Sequence, residues 1–238
     1  MTDAPALPTY AVEDGVAVLT LDDGKVNVIS HGVLDAVDDA LDRAEGDGAR
    51  ALVIAGRTGG AFSAGFDLPT MTESTESMRG LVTRGAQTFM RLYGYRLPTV
   101  AACTGHALAA GALLLLSLDQ RVGAEGKAKI GLNEVQIGMG LPIFAVEMAR
   151  ERLTTAELAP ATTQARIYDP HGAVAAGYLD RVVPAEDLLT EAIADAQRLG
   201  ELRTGAYART KEVLREAVIG HILDTLEADI DTLTGPEG

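Results

Sequence analysis

Two periods of apolar spacing alternate along the chain. Nearly continuous apolar runs at Val16–Leu21, 51–54 and Thr99–Cys103 have strand length and the hydrophobicity of strands covered on both faces. The segments between them carry apolar residues at helical intervals, Val33, Val37 and Leu41 in one, Met78, Leu81, Val82, Phe89 and Leu92 in another. The first predicts a helix capped by Ser30 and stopped by Gly46 and Gly48, and the second a helix over 74–93. Ahead of them, Tyr10 to Val12 and Val16–Leu21 flank Glu13-Asp14-Gly15, a hairpin signal because Asp-Gly accepts positive φ. Two more short strands are predicted at 119–123 and 128–131, so the first half reads as repeated β-β-α units.

From Pro142 the pattern turns mostly helical. It predicts helices over 143–153, over 155–165 with Thr154 or Thr155 as cap, over 173–176 before Gly177, and after Pro184 through Leu199. One last strand is expected at 180–183. A further helical region, 205–233, has Val213, Leu214, Val218, Ile222, Leu226 and Ile230 spaced for a buried face, and 235–238 is expected to fray.

Two stretches rich in small residues interrupt these elements. Residues 56–69 form a long glycine-rich loop after a buried strand, longer than a passive connection requires. Residues 105–112 form a strand-to-helix turn leading into Ala112-Leu113-Leu114-Leu115-Leu116, a helix too apolar for a surface. Small side chains let a ligand approach bare backbone, and N–H groups from two such turns, at 63–67 and 108–112, are what an oxyanion hole requires; a tightly packed corner with no ligand is the other reading of the same residues. Glu134 stands in an apolar, glycine-rich segment, where burial would raise its pKa toward the range of a general base; an exposed loop acid is the alternative.

The overall charge narrows the partners. With 34 acidic against 20 basic residues the net charge is −14, against the basic footprint that nucleic acid or an anionic membrane demands. No apolar run approaches the roughly 20 residues of a membrane span, and Met-Thr-Asp-Ala-Pro is unlike a signal peptide, so a cytoplasmic setting is expected. Cys103, the only cysteine, reads as an inert core residue; the four histidines show no metal-ligand spacing and no metal is expected. Phe62-Ser63-Ala64-Gly65 lacks the full nucleophile elbow, and no Walker or dinucleotide fingerprint occurs. Arg79, Arg84 and Arg91 read as solvated charges on their helix.

At these same residues the sequence resembles the crotonase, or enoyl-CoA hydratase/isomerase, superfamily. Ala61-Phe-Ser-Ala-Gly-Phe-Asp-Leu68 is similar to its first signature loop, residues 98–111 to its second, Ile130-Gly-Leu-Asn-Glu-Val-Gln-Ile-Gly138 to its third, and Val182-Val183-Pro184 after Gly177 to a later passage. The resemblance covers roughly residues 8 to 200. It implies an α/β fold, a spiral of β-β-α units over 1–199, with a helical region at 200–238 packing at the interface of a homotrimer or a dimer of trimers. It implies an acyl-CoA substrate, coenzyme A being part of that substrate and no separate cofactor being needed. The thioester carbonyl would sit between the N–H groups of Phe66 and Ala110, with Ala64, Gly65, Asp67 and Leu113 around the substrate and Lys25 and Arg57 in loops suited to the CoA phosphates. The family's hydratases hold a water between two glutamates. Their first position is Leu113 here and their second is Glu134, a combination more like the Δ3,Δ2-enoyl-CoA isomerases. A hydratase, another crotonase-type acyl-CoA reaction and a non-catalytic acyl-CoA-binding relative are the alternatives.

Overall fold

The computed structural model describes residues 8–235. The chain opens with an antiparallel hairpin, β1 (Thr9–Glu13) and β2 (Val16–Leu21), closed by Asp14 and Gly15, both at positive φ (48° and 77°) as the Asp-Gly signal predicts. The short strand β3 (Val28–Ile29) and helix α1 (His31–Gly46) complete the first turn, and Ser30 caps α1 by accepting the Val33 N–H. The second turn is β4 (Ala51–Gly56), β5 (Gly65–Phe66), α2 (Leu68–Glu73) and α3 (Thr75–Tyr93). The third is β6 (Thr99–Cys103), β7 (Ala107–Leu108) and α4 (Ala110–Leu116). The fourth is β8 (Gln120–Ala124), β9 (Ile130–Gly131), a 3₁₀ turn over Glu134–Ile137 and α5 (Ile143–Arg152). The short helices α6 (Leu158–Ala161) and α7 (Pro170–Ala176), strand β10 (Arg181–Val183), α8 (Leu188–Gly200) and the long α9 (Thr204–Ile230) follow.

The first strand of each turn joins one six-stranded sheet in the order β1-β2-β4-β6-β8-β10, parallel from β2 onward. The second strands stand apart and pair two by two, β3 with β5 and β7 with β9. This is the spiral of β-β-α units that the sequence pattern predicts. On one sheet face, Val16, Val53, Val100 and Val122 meet Leu188, Ala192 and Ala196 of α8, while the other bears the main core with α1, α3 and α4. Cover on both faces is why β4 and β6 read as continuous apolar runs.

Three local expectations are corrected. Residues 155–165 do not form one helix: α6 has four residues, with Pro160 in its first turn, where the missing N–H would have no helical partner anyway. A helix begun at 155 would set Pro160 deeper, where it lacks a needed donor and clashes, and Ala165 at φ 47° ends any continuation. Arg84 and Arg91 are not merely solvated: Arg84 pairs with Asp35 and Asp38, and Arg91 with Asp38 and Asp42, joining α3 to α1.

The third correction concerns α9. Ile222, Leu226 and Ile230 are buried as predicted, but Val213 and Leu214 are exposed, Leu214 at 70%. The inward face of that half carries Lys211 and Arg215, which both reach Asp119 at 2.7 Å, where the Tyr207 hydroxyl also donates at 2.7 Å. A buried carboxylate reverses the face that apolar spacing alone would turn inward. Of the expected frayed tail, residues 236–238 lie outside the described residues.

Candidate active site

Three chain segments, distant in sequence, are stitched together by backbone hydrogen bonds. Ser63 N–H donates to the His106 carbonyl and Leu108 N–H donates back to the Ser63 carbonyl, both at 3.0 Å. Ala109 N–H in turn donates to the Gly131 carbonyl at 3.0 Å, so the β5 loop, the β7 turn and the β9 segment lie side by side. The small residues permit this approach. Gly65 has φ 104°, and a Cβ there would stand 3.1 Å from both the Ala109 Cβ and the Leu108 carbonyl oxygen. A Cβ on Gly111 would run into the Ser63 carbonyl.

Ala109 adopts φ 50° and ψ −125°, a conformation that costs a residue with a side chain on the order of 1–3 kcal/mol. That bend sets Ala110 as the first residue of α4, where its N–H lacks a partner within the helix. Phe66 is anchored nearby through its ring, which stacks on Phe89 of α3 with centroids 6.3 Å apart.

These segments enclose a cavity of about 260 Å³. Five of the nine residues expected at the site line it: Ala64, Phe66, Ala110, Leu113 and Glu134. Glu134 opens the 3₁₀ turn and is buried, its Oε2 has no hydrogen-bond partner, and burial pushes its carboxyl up to about 7. It is the only titratable side chain on the cavity wall among the described residues. Asn133 is the other polar group, also with an unpartnered buried Oδ1, and Leu113 faces the same space.

The other four stand differently. Gly65 lies behind the wall as the spacer just described. Asp67 caps α2, accepting the Thr70 N–H at 3.1 Å and its hydroxyl at 2.8 Å. Arg57 pairs with Asp22 at 2.9 Å and lines a separate cavity of about 580 Å³. The exposed Lys25 adjoins it, its carbonyl accepting an Arg57 N–H at 3.5 Å. A larger, open groove of about 1050 Å³ between α3 and α9 shares no wall residue with the Glu134 cavity.

Sequence reasoning misses Asn133, Met139, Phe144 and Leu233 on the cavity wall. Asn133 adjoins Glu134, which was its available signal. Leu233 comes from beyond α9, about a hundred residues away, and nothing local marks it.

The geometry unites a base, a backbone-lined turn and a largely apolar cavity. Residues 11–236 match the model of the family described as enoyl-CoA hydratase/isomerase. The chain belongs to this family. Among solved structures, an enoyl-CoA hydratase/isomerase family protein from Pseudomonas syringae superposes with a TM-score of 0.88 at 43% identity, covering 94% of this chain and 95% of the other. Among curated relatives, a putative enoyl-CoA hydratase from Thermus thermophilus is 37% identical over 85% of this chain and 82% of its own length. The mitochondrial enoyl-CoA delta isomerase 1 of mouse is 29% identical over 92% of this chain and 77% of its own length. Family membership and the crotonase fold agree with the resemblance read from the signature loops; hydratase and isomerase names both occur among the relatives. No helix among the described residues is long and apolar enough to cross a membrane.

Proposed function

We propose that the chain is a Δ3,Δ2-enoyl-CoA isomerase working by a single-base 1,3-proton shift. The reading rests on one observation: among the described residues Glu134 is the sole titratable side chain on the cavity wall, with a leucine at 113 on that wall. The Glu134 carboxylate removes a C2 proton from a 3-enoyl thioester, and the electrons flow into the carbonyl to give an enolate. The N–H groups of Phe66 and Ala110 hold the enolate oxygen, donors aimed where charge develops. Glu134, now a carboxylic acid, returns the proton to C4 and leaves the 2-enoyl thioester. A carboxyl raised to about 7 is suited to both halves of the cycle, since near neutrality it is neither too weak a base nor too weak an acid. The scheme balances with no metal or redox cofactor.

Hydratase chemistry would need a second group to orient and protonate around a water, and Leu113 offers neither. Lys25 and Arg57 are the proposed contacts for the CoA phosphates, and Gly65 and Asp67 support the first loop. A homotrimer, or two stacked trimers, in a cytoplasmic setting belongs to the same reading; the exposed Val213 and Leu214 on α9 supply apolar surface for it. The deciding assay supplies 3-enoyl-CoA and follows conjugated 2-enoyl-CoA. Full turnover by Glu134→Gln removes Glu134 as the base, robust water addition to crotonyl-CoA makes the chain a hydratase, and acyl-CoA binding without turnover makes it a non-catalytic relative.

A further inference from the structure

The wall of the Glu134 cavity is built mostly from side chains on fixed elements, Met71 on α2, Val82 on α3, Leu113 on α4 and Phe144 on α5. Leu233 differs, because it lies past the last residue of α9 in a short turn that hydrogen-bonds back onto the helix, the Leu233 N–H donating to the Ile230 carbonyl at 3.1 Å. It is nonetheless buried, at 7% exposure. Arg79 of α3 holds the segment, donating to the carbonyl oxygens of Asp231 and, at 3.4 Å, Leu233, and pairing with the Asp231 carboxylate at 3.4 Å. That carboxylate is 71% exposed, and an ion pair so open to water holds weakly.

The cavity is small, about 260 Å³ against about 1050 Å³ for the groove between α3 and α9. An acyl chain long enough to reach Leu233 must stop there or displace it. Displacing this turn gives up its hydrogen bonds to the end of α9 and to Arg79, but breaks no helix and parts no strands.

Building on the isomerase reading, we propose that Leu233 is a chain-length-determining residue of this site: held by Arg79, it bounds the acyl pocket on the side of the C-terminal turn. The substrate class is then short- and medium-chain enoyl thioesters. Each further methylene that finds apolar cover is worth about a fourfold gain in affinity, so removing the leucine opens a large advantage to longer chains.

The test measures dissociation constants of saturated acyl-CoAs of four, eight, twelve and sixteen carbons by calorimetry, alongside kcat/KM for the matching 3-enoyl-CoAs. Wild type is expected to bind the twelve- and sixteen-carbon thioesters at least tenfold more weakly than the eight-carbon one. Leu233→Ala is expected to reduce that ratio at least tenfold, and Arg79→Gln, which leaves the leucine present but frees its tail, to move it in the same direction. A wild type that binds all four alike, or a ratio that neither variant changes, overturns the role of Leu233 while leaving the isomerase reading intact if 3-enoyl-CoA still turns over. Failure of every acyl-CoA to bind overturns both.

Discussion

At the scale of single residues the site depends on a carboxylate kept short of partners. Glu134 has an unpartnered Oε2 inside an apolar wall, and its ordinary value of 4.5 rises to about 7 through burial. The rate follows directly: kcat/KM for 3-enoyl-CoA should rise with pH through about 7 and level off above it, because the ionised form does the work. Glu134→Gln should lower kcat by a factor on the order of 10³, within the usual reach of general acid-base catalysis. The same shift enters stability with a definite sign. Between about 4.5 and 7 the folded protein keeps a proton that the unfolded chain has released, so this group's contribution falls as pH rises across that window and stays low above it. Glu134→Gln escapes that penalty, and denaturant titrations at pH 5 and pH 9 should show its stability relative to wild type improving by on the order of 2–3 kcal/mol between them. A pH-independent difference would mean that Glu134 titrates normally. Its chemistry is legible in the sequence because a lone acid in the run from Ile130 to Gly138 stands out against its neighbours; Asn133, one position earlier, carries no such contrast because an amide is uncharged.

Among the elements, what was legible and what was not divide along one line. Apolar periodicity reports burial against hydrophobic partners, and there it locates β1, β2, β4, β6, α1 and α3, with Ser30 as the cap of α1. It carries no information about a charged side chain that buries itself on an opposite charge. Hence apolar spacing turns the first half of α9 the wrong way round and leaves Arg84 and Arg91 in solvent, although Asp38 holds both. Burial alone would push Asp119 up, but the charges of Lys211 and Arg215 more than offset this and hold its carboxyl below the usual carboxylate range. Removing it strands two buried cations. Asp119→Asn should therefore lower stability by about 3–5 kcal/mol, the usual cost of breaking a buried pair from one side, and hydrogen exchange should rise first in α9. A loss confined to a few tenths would mean that water already screens the cluster. Contact between loops is equally invisible to periodicity. Gly111→Ala drives a methyl group against the Ser63 carbonyl and so shifts the turn that presents Ala110 N–H; kcat should fall at least tenfold in protein whose circular dichroism shows it folded.

For the whole molecule the decisive quantity is net charge. The spiral brings the Phe66 loop, the Ala110 turn, the Glu134 loop and the tail leucine from four parts of the sequence to one cavity, which no single segment could announce. It also distributes an excess of fourteen negative charges over a protein whose proposed substrate carries phosphates. Two fields then compete. The global charge repels the substrate at long range, whereas Lys25 and Arg57 attract it near their loops, and Arg57 is already partly neutralised by Asp22 at 2.9 Å. The Debye length decides which one the substrate meets, about 30 Å at 0.01 M salt and about 8 Å at 0.15 M. At low salt nearly the whole surface acts; at 0.15 M only the groups beside the phosphates do. The KM for 3-enoyl-CoA should therefore fall severalfold as sodium chloride is raised from 0.01 to 0.15 M, with kcat little altered because the wall around Glu134 is almost wholly apolar. A KM that climbs with salt would mean that local cations outweigh the global field, and Arg57→Ala and Lys25→Ala should then each flatten the dependence if those two loops are where the phosphates rest.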